Sequence, residues 1–283
     1  MAGRIGDLGP HLRDGPPRLR SGAEDFMTSG LGAAAAARPA PIELIIFDCD
    51  GVLIDSEPLA MRVLLDVLAS EGIEIDRSTA FRDFLGRSLG SISTTLHEKY
   101  GRRLSDSLLE SIRSQLYASF RRELRAMPWL AHALDQLGIP LCVASSSHFE
   151  RIRLSLSLTG LLDRFEPHIF SASEVENGKP APDLFLHVAR AMGVPPERCL
   201  VVEDSPAGVA AARAAGMRVF AFLGGGHVGE GDLRPEIERL APDAIIEDMR
   251  ALPGLVELEA IRRAGEPPHA LVAVDVGTGS ARA

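Results

Sequence analysis

A chain of 283 residues, 46% apolar and 24% charged, can hold one large or two modest domains with a genuine buried core. Its formal charge of -9 and isoelectric point near 5.4 exclude a general nucleic-acid or anionic-membrane surface, while leaving room for a local basic pocket. No apolar run approaches the roughly 20 residues needed to cross a bilayer, and Cys49, Cys142 and Cys199 each sit in an apolar, strand-like run, which predicts buried free thiols in a reducing, cytoplasmic setting.

Residues 1–41 are rich in Gly, Pro, Arg and Ala without a sustained period, and read as a flexible tail in which Met27 is a candidate start of translation. The run Leu44-Ile45-Ile46-Phe47 then predicts a buried strand that delivers Asp48 and Asp50 at its end, with Gly51 allowing a sharp exit. Leu59, Val63, Leu64, Val67 and Leu68 recur with helical spacing, and Glu71-Gly72 supplies a stop. Further helical patterns cover 80–84, 92–100 and 108–124, ending near Met127-Pro128.

From there strands and helices alternate. Strands are predicted at 139–144, 168–171, 199–202, 217–222 and near 244–246, and helices at 148–158, 182–192 and 206–215, the last capped by Gly216. This order predicts an α/β fold with a Rossmann-like parallel sheet core and an α-helical cap inserted after the first strand. The expected domains are the tail 1–41, a core of 42–56 and 129–260, a helical cap of 57–128, and a C-terminal tail of 261–283.

Three strong strands end in polar residues: Asp48 and Asp50, then Ser145, then Glu203 and Asp204. In a parallel sheet these ends share the edge where ligands bind. Side chains two apart in an extended segment point the same way, so Asp48 and Asp50 are expected to converge on one point and suit Mg²⁺. Lys179, in the loop Asn177-Gly178-Lys179-Pro180-Ala181-Pro182-Asp183, can reach the same edge and neutralise phosphate. Taken singly, Ser145 reads as a helix cap, Lys179 as a solvated charge, and Glu203 and Asp204 as partners of a helix dipole. Their order and placement favour a shared site.

The order Asp48-Cys49-Asp50-Gly51-Val52-Leu53-Ile54-Asp55-Ser56-Glu57, then Ser145, then Gly178-Lys179-Pro180 with Pro182-Asp183, then Glu203-Asp204-Ser205, resembles the haloacid dehalogenase-like hydrolase superfamily. The match is best to its branch of phosphoglycolate phosphatases, sugar-phosphate phosphatases and β-phosphoglucomutase, and spans about residues 43–255. The resemblance implies Asp48 as nucleophile, forming an aspartyl-phosphate, and Asp50 as general acid and base. It implies Mg²⁺ held by Asp48, the backbone carbonyl of Asp50 and Asp204, with Glu203 in support. Ser145 and Lys179 would grip the phosphoryl oxygens, with backbone N–H groups near Gly51 and Ser146 as further donors. The second aspartate sets dehalogenation aside.

On the same resemblance the helical insertion is a cap that closes over the site, hinged at 55–58 and 127–128, with Glu57 and Arg87 as candidate specificity residues. The implied substrate is a small phosphorylated metabolite, a sugar or sugar-acid phosphate, acted on by a monomer or weak homodimer. A sugar phosphomutase is the alternative, but mutases of this branch carry a histidine at the position of Ala60. A non-catalytic binding module is the third class. The loop Gly224-Gly225-Gly226-His227 is expected to be flexible with a surface histidine, and the segment 270–283 resembles the opening strand and turn of FGGY carbohydrate kinases.

Overall fold

Four consecutive apolar side chains without alternation require cover on both faces, and Leu44–Phe47 forms such a strand, β1, with every residue buried. The computed structural model describes residues 40–229 and 233–264. Of the expected tail 1–41, residues 1–39 with Met27 lie outside the described residues, as does the segment 270–283 read as resembling a carbohydrate kinase. After β1 come four helices in succession, α1 (Glu57–Ser70), α2 (Arg77–Phe84), α3 (Leu89–Tyr100) and α4 (Asp106–Glu123). Side-chain caps set their starts: Asp76 accepts from Thr79 N at 2.9 Å, Ser88 from Ser91 N at 3.2 Å, and Ser105 from Leu108 N at 3.2 Å. α1 packs along α4, where Arg62 donates to Ser119 and Glu123.

The chain continues with α5 (Leu130–Gln136), β2 (Leu141–Ser145), α6 (Phe149–Leu158), α7 (Leu162–Phe165), β3 (Ile169–Ser171), α8 (Asp183–Met192), β4 (Cys199–Glu203), α9 (Pro206–Ala214), β5 (Arg218–Phe222), α10 (Arg234–Arg239), β6 (Ala244–Ile246) and α11 (Leu252–Ala264). The six strands form one parallel sheet in the order β3-β2-β1-β4-β5-β6. Ile45 of β1 is level with Leu141 on β2 and Leu200 on β4, so the C-terminal ends of these three strands open on the same edge. The α/β expectation holds, and the helical insertion stands between β1 and β2.

Among the helices, α5, α7, α10 and α11 are additions to the sequence reading. The first three have seven, four and six residues, too few to establish a 3.6-residue period. α5 packs on α11 and on a single 3-10 turn at Met249–Ala251, contacts made across the chain and invisible locally. The three cysteines are buried and free, as expected. No described helix is long and apolar enough to cross a membrane.

Two strands of chain join the helical insertion to the sheet, and they are tied to each other. Asp55 N donates to Arg125 O at 3.0 Å and Met127 N to Leu53 O at 2.9 Å, a short antiparallel pairing centred on Ile54 and Ala126. Between β1 and this pairing the chain makes a tight turn: Leu53 N donates to Cys49 O at 2.9 Å, and Gly51 N to Ile54 O at 2.8 Å. Gly51 has φ +82°, and a Cβ there would collide with Asp204 Oδ2, so only glycine fits.

Candidate active site

The edge of the sheet gathers the polar residues expected there. Asp48 follows β1, Ser145 ends β2 and Glu203 ends β4 with Asp204 next, all buried. Lys179 comes from the loop before α8, and its ammonium is fully engaged: 2.6 Å to Asp48 Oδ1, 2.6 Å to Glu203 Oε1 and 3.2 Å to Ala144 O. With its side chain 2% exposed it is no solvated loop charge. Burial alone works against the ammonium, but the two carboxylates outweigh it and hold its pKa above the ordinary lysine value.

Glu203 is occupied on both oxygens. Its Oε1 meets Lys179, and its Oε2 accepts from Ser205 N at 2.8 Å and Ser205 Oγ at 3.0 Å. Ser205 in turn caps α9 by accepting from Gly208 N at 3.0 Å. Glu203 thus fixes the lysine and the start of the next helix together.

Asp48 and Asp50 line the same small chamber, but their carboxylates hold different partners. β1 ends at Phe47, so both aspartates lie just beyond the strand, ahead of the turn at Gly51. Asp50 Oδ1 instead accepts from Ser56 Oγ at 2.6 Å and Arg151 Nη2 at 2.8 Å, and Oδ2 accepts from Ser147 Oγ at 2.7 Å. Burial pushes the Asp50 carboxyl up, but Arg151 and these hydrogen bonds prevail and hold its pKa below the usual range. Asp48 behaves oppositely: burial, with Glu203 and Asp204 nearby, raises its pKa well above the usual range despite Lys179.

Sequence reasoning missed Arg151 and Ser147. Arg151 lies in the first turn of α6, its guanidinium 5.3 Å from the centre of the Phe120 ring on α4. A cation in a first turn opposes the helix dipole, and that mismatch, four residues after Ser147, was the available signal.

Oxygens of Asp48, Glu203 and Asp204 lie within 4.8 Å of one another, all three residues buried. Asp50 lines the same chamber without being one of these three. Lys179 supplies one positive charge against these three carboxylates, and burial with the neighbouring Glu203 raises the Asp204 pKa well above the usual range. Buried hard oxygen donors short of positive charge fit a divalent cation of the Mg²⁺ or Mn²⁺ class.

The expectation of a surface histidine at the Gly224–His227 loop is corrected. His227 is fully buried, with Nε2 2.9 Å from Asp204 Oδ2. Burial lowers its pKa below the ordinary imidazole value. The three consecutive glycines, expected to make a flexible loop, serve tight passage past Asp55, Glu247 and the imidazole itself.

Asp48, Asp50, Ser145, Ser146, Ser147, Arg151, Lys179, Glu203 and Asp204 line a chamber of about 20 Å³, closed on the helical side by Gly86, Arg87 and Glu57. Ser146, Gly86, Arg87 and Lys179 also border an adjoining cavity of about 410 Å³, walled by Phe81 and Leu85 on one side and Pro206, Ala207 and Ala210 on the other. Arg87 is lightly held, with Nη1 3.4 Å from Thr95 Oγ1. Glu57 is buried at the start of α1, and burial together with the Asp50 charge raises its pKa to about 8.

The sequence model of the haloacid dehalogenase-like hydrolases matches residues 42–216. The chain belongs to this family. It is similar to the 6-phosphogluconate phosphatase of Escherichia coli (strain K12), with 33% identity over 66% of this chain and 85% of that protein. A conserved haloacid dehalogenase-like protein of unknown function from Agrobacterium tumefaciens superposes with a TM-score of 0.67 at 35% identity, covering 77% of this chain and 99% of that one. A haloacid dehalogenase family hydrolase from Deinococcus radiodurans, solved with bound phosphate and sodium, gives a TM-score of 0.64 at 30% identity, covering 78% and 98%. The match to the family ends at residue 216, and nothing in it bears on the segment 270–283.

Proposed function

We propose that this protein is a Mg²⁺-dependent phosphatase that hydrolyses a small phosphomonoester, a sugar or sugar-acid phosphate, through an aspartyl-phosphate on Asp48. The observation that carries the reading is the small chamber in which Asp48, Lys179 and Ser145 meet, with Asp50 on its wall. The 6-phosphogluconate phosphatase likeness supports the sugar-acid class.

Asp48 attacks phosphorus, the bond to the leaving oxygen breaks, and Asp50 gives that oxygen a proton. A water then attacks the acyl phosphate, Asp50 takes its proton, and Asp48 is restored with release of phosphate. As it stands here, Asp50 is held ionised by Arg151, Ser56 and Ser147, the state suited to the second step; the first requires it to turn from Arg151, take up a proton from solvent or from a monoanionic phosphate ester, and deliver that proton to the leaving oxygen. Lys179 and Ser145 hold phosphoryl oxygens, and the backbone N–H groups of Gly51 and Ser146 add donors. Asp48, Asp204 and the carbonyl of Asp50 would hold the cation, with Glu203 in support. When bound, the cation offsets the repulsion between carboxylates and an incoming phosphate dianion.

Residues 57–128 serve as the cap over a core of 42–56 and 129–260, hinged at 55–58 and 127–128. Closure excludes bulk water from the chamber, and Glu57 and Arg87 face the leaving group. The mutase alternative lacks support at position 60, where α1 carries alanine.

Phosphate release from a panel of sugar, sugar-acid and hexitol phosphates tests this, with Mg²⁺, with chelator, and with Asp48→Asn. Metal-dependent release that disappears in the variant is expected. Conversion of glucose 1-phosphate to the 6-phosphate without release would instead establish the mutase.

A further inference from the structure

The Gly224–His227 turn after β5 has no part in the reaction as set out above, yet it is built with care. A Cβ at Gly225 would sit 2.5 Å from His227 Cε1 and 2.7 Å from Nδ1; one at Gly226 would press on Asp55 and Pro58 at 3.3 Å; one at Gly224 would strike Glu247 O. Gly226 N donates to Asp55 Oδ1 at 3.2 Å and Val228 N to Gly225 O at 3.2 Å, which anchors the turn to the link between sheet and cap. Side chains at Gly224 and Gly225 would force their neighbours to move, and the outcome is a fully buried imidazole against Gly51 and Asp204.

That imidazole is not packing filler. Neither ring nitrogen makes an aligned hydrogen bond, although Nε2 lies only 2.9 Å from Asp204 Oδ2. A buried polar ring left without an aligned partner is costly, and a phenylalanine or leucine would fill the space without that cost. The contact falls on Oδ2 of a carboxylate of which one oxygen lies within 4.8 Å of oxygens of Asp48 and Glu203.

We propose that His227 is a positioning residue for Asp204: it fixes the carboxylate's rotation through Oδ2, so that the remaining oxygen is presented to the divalent cation. Outer partners of this kind set the orientation of metal ligands and tune affinity. The glycine turn is the device that brings the ring in from a strand two places removed from β1, so the metal site depends on β5 as well as on β1 and β4. The inference rests on reading Asp48, Glu203 and Asp204 as the cation site.

Mn²⁺ binding to the full-length protein, followed by isothermal titration with thermal denaturation recorded in parallel, tests it. His227→Leu is expected to weaken Mn²⁺ binding about 10- to 100-fold with a cooperative melt retained. His227→Gln, which keeps an N–H donor, is expected to recover most of that loss. Gly225→Ala, which displaces the ring without removing it, is expected to weaken binding as His227→Leu does, and carries the test if the leucine variant does not fold. Unchanged Mn²⁺ affinity in a folded His227→Leu or Gly225→Ala protein, or a glutamine variant as weak as leucine, overturns the proposal while leaving the cation site intact. Failure of the unsubstituted protein to bind Mn²⁺ overturns the cation site itself.

Discussion

The two walls of the chamber are held in contrasting ways. On the sheet side Lys179 meets Asp48 and Glu203 at 2.6 Å each, and Asp50 accepts three hydrogen bonds of 2.6 to 2.8 Å. On the helical side Arg87 has one contact of 3.4 Å and no ion pair among the described residues. A saturated, buried charge network has one low-energy arrangement, whereas a lightly held arginine on a loop can reorient at little cost. On the proposed reading, chemistry and recognition therefore fall to different parts of the fold.

Removing charge from the sheet wall sharpens that contrast most. Lys179→Met leaves Asp48 and Glu203 buried without their shared partner, and a loss of about 3–5 kcal/mol is expected, read by urea denaturation. A loss below ~1 kcal/mol would show that the network relaxes more easily than its burial implies.

Glu57, at the boundary between the walls, should give an intermediate effect that depends on pH. Its folded pKa of about 8 lies above the ordinary glutamate value of 4.5, so the native state holds the proton across that interval and the unfolded chain does not. Stability therefore falls as pH rises from about 4.5 to 8. Glu57→Gln escapes this loss and should exceed the unsubstituted protein by about 2 kcal/mol at pH 8, with little advantage at pH 4.5, on denaturant midpoints taken at both. A pH-independent difference would mean that Glu57 is better solvated than its burial indicates.

The smallest change is expected on the helical wall. Arg87→Ala should leave the melting temperature unaltered, raise KM for an anionic sugar-acid phosphate about tenfold, and alter kcat little, as for loss of one charge-assisted contact to bound substrate. A large fall in kcat with unchanged KM would move Arg87 from recognition into the chemistry.

The same division governs what the sequence discloses. β1, β2 and β4 are legible because strands buried on both faces read as unbroken apolar runs, and their polar ends mark one edge of a parallel sheet. Lys179 is legible because Gly and Pro fix its loop. Arg151 and His227 were not, because each meets its partner across a long interval of chain: Arg151 is bonded to a residue 101 positions away. That Asp48 and Asp50 share one chamber is legible from their place at the strand end, whereas the partners that hold Asp50 lie elsewhere in the chain. The glycines before His227 resemble those of a mobile loop, and only their neighbours reveal that close approach demands them.

The most direct test of the central claim is to mix the protein with Mg²⁺ and a substrate identified by the panel, quench in acid within a single turnover, and map the phosphoryl group by peptide mass spectrometry. An acyl phosphate stable to acid on Asp48, absent from Asp48→Asn, is the expected result. A phosphoryl group on another side chain, or rapid turnover in Asp48→Asn, would contradict it.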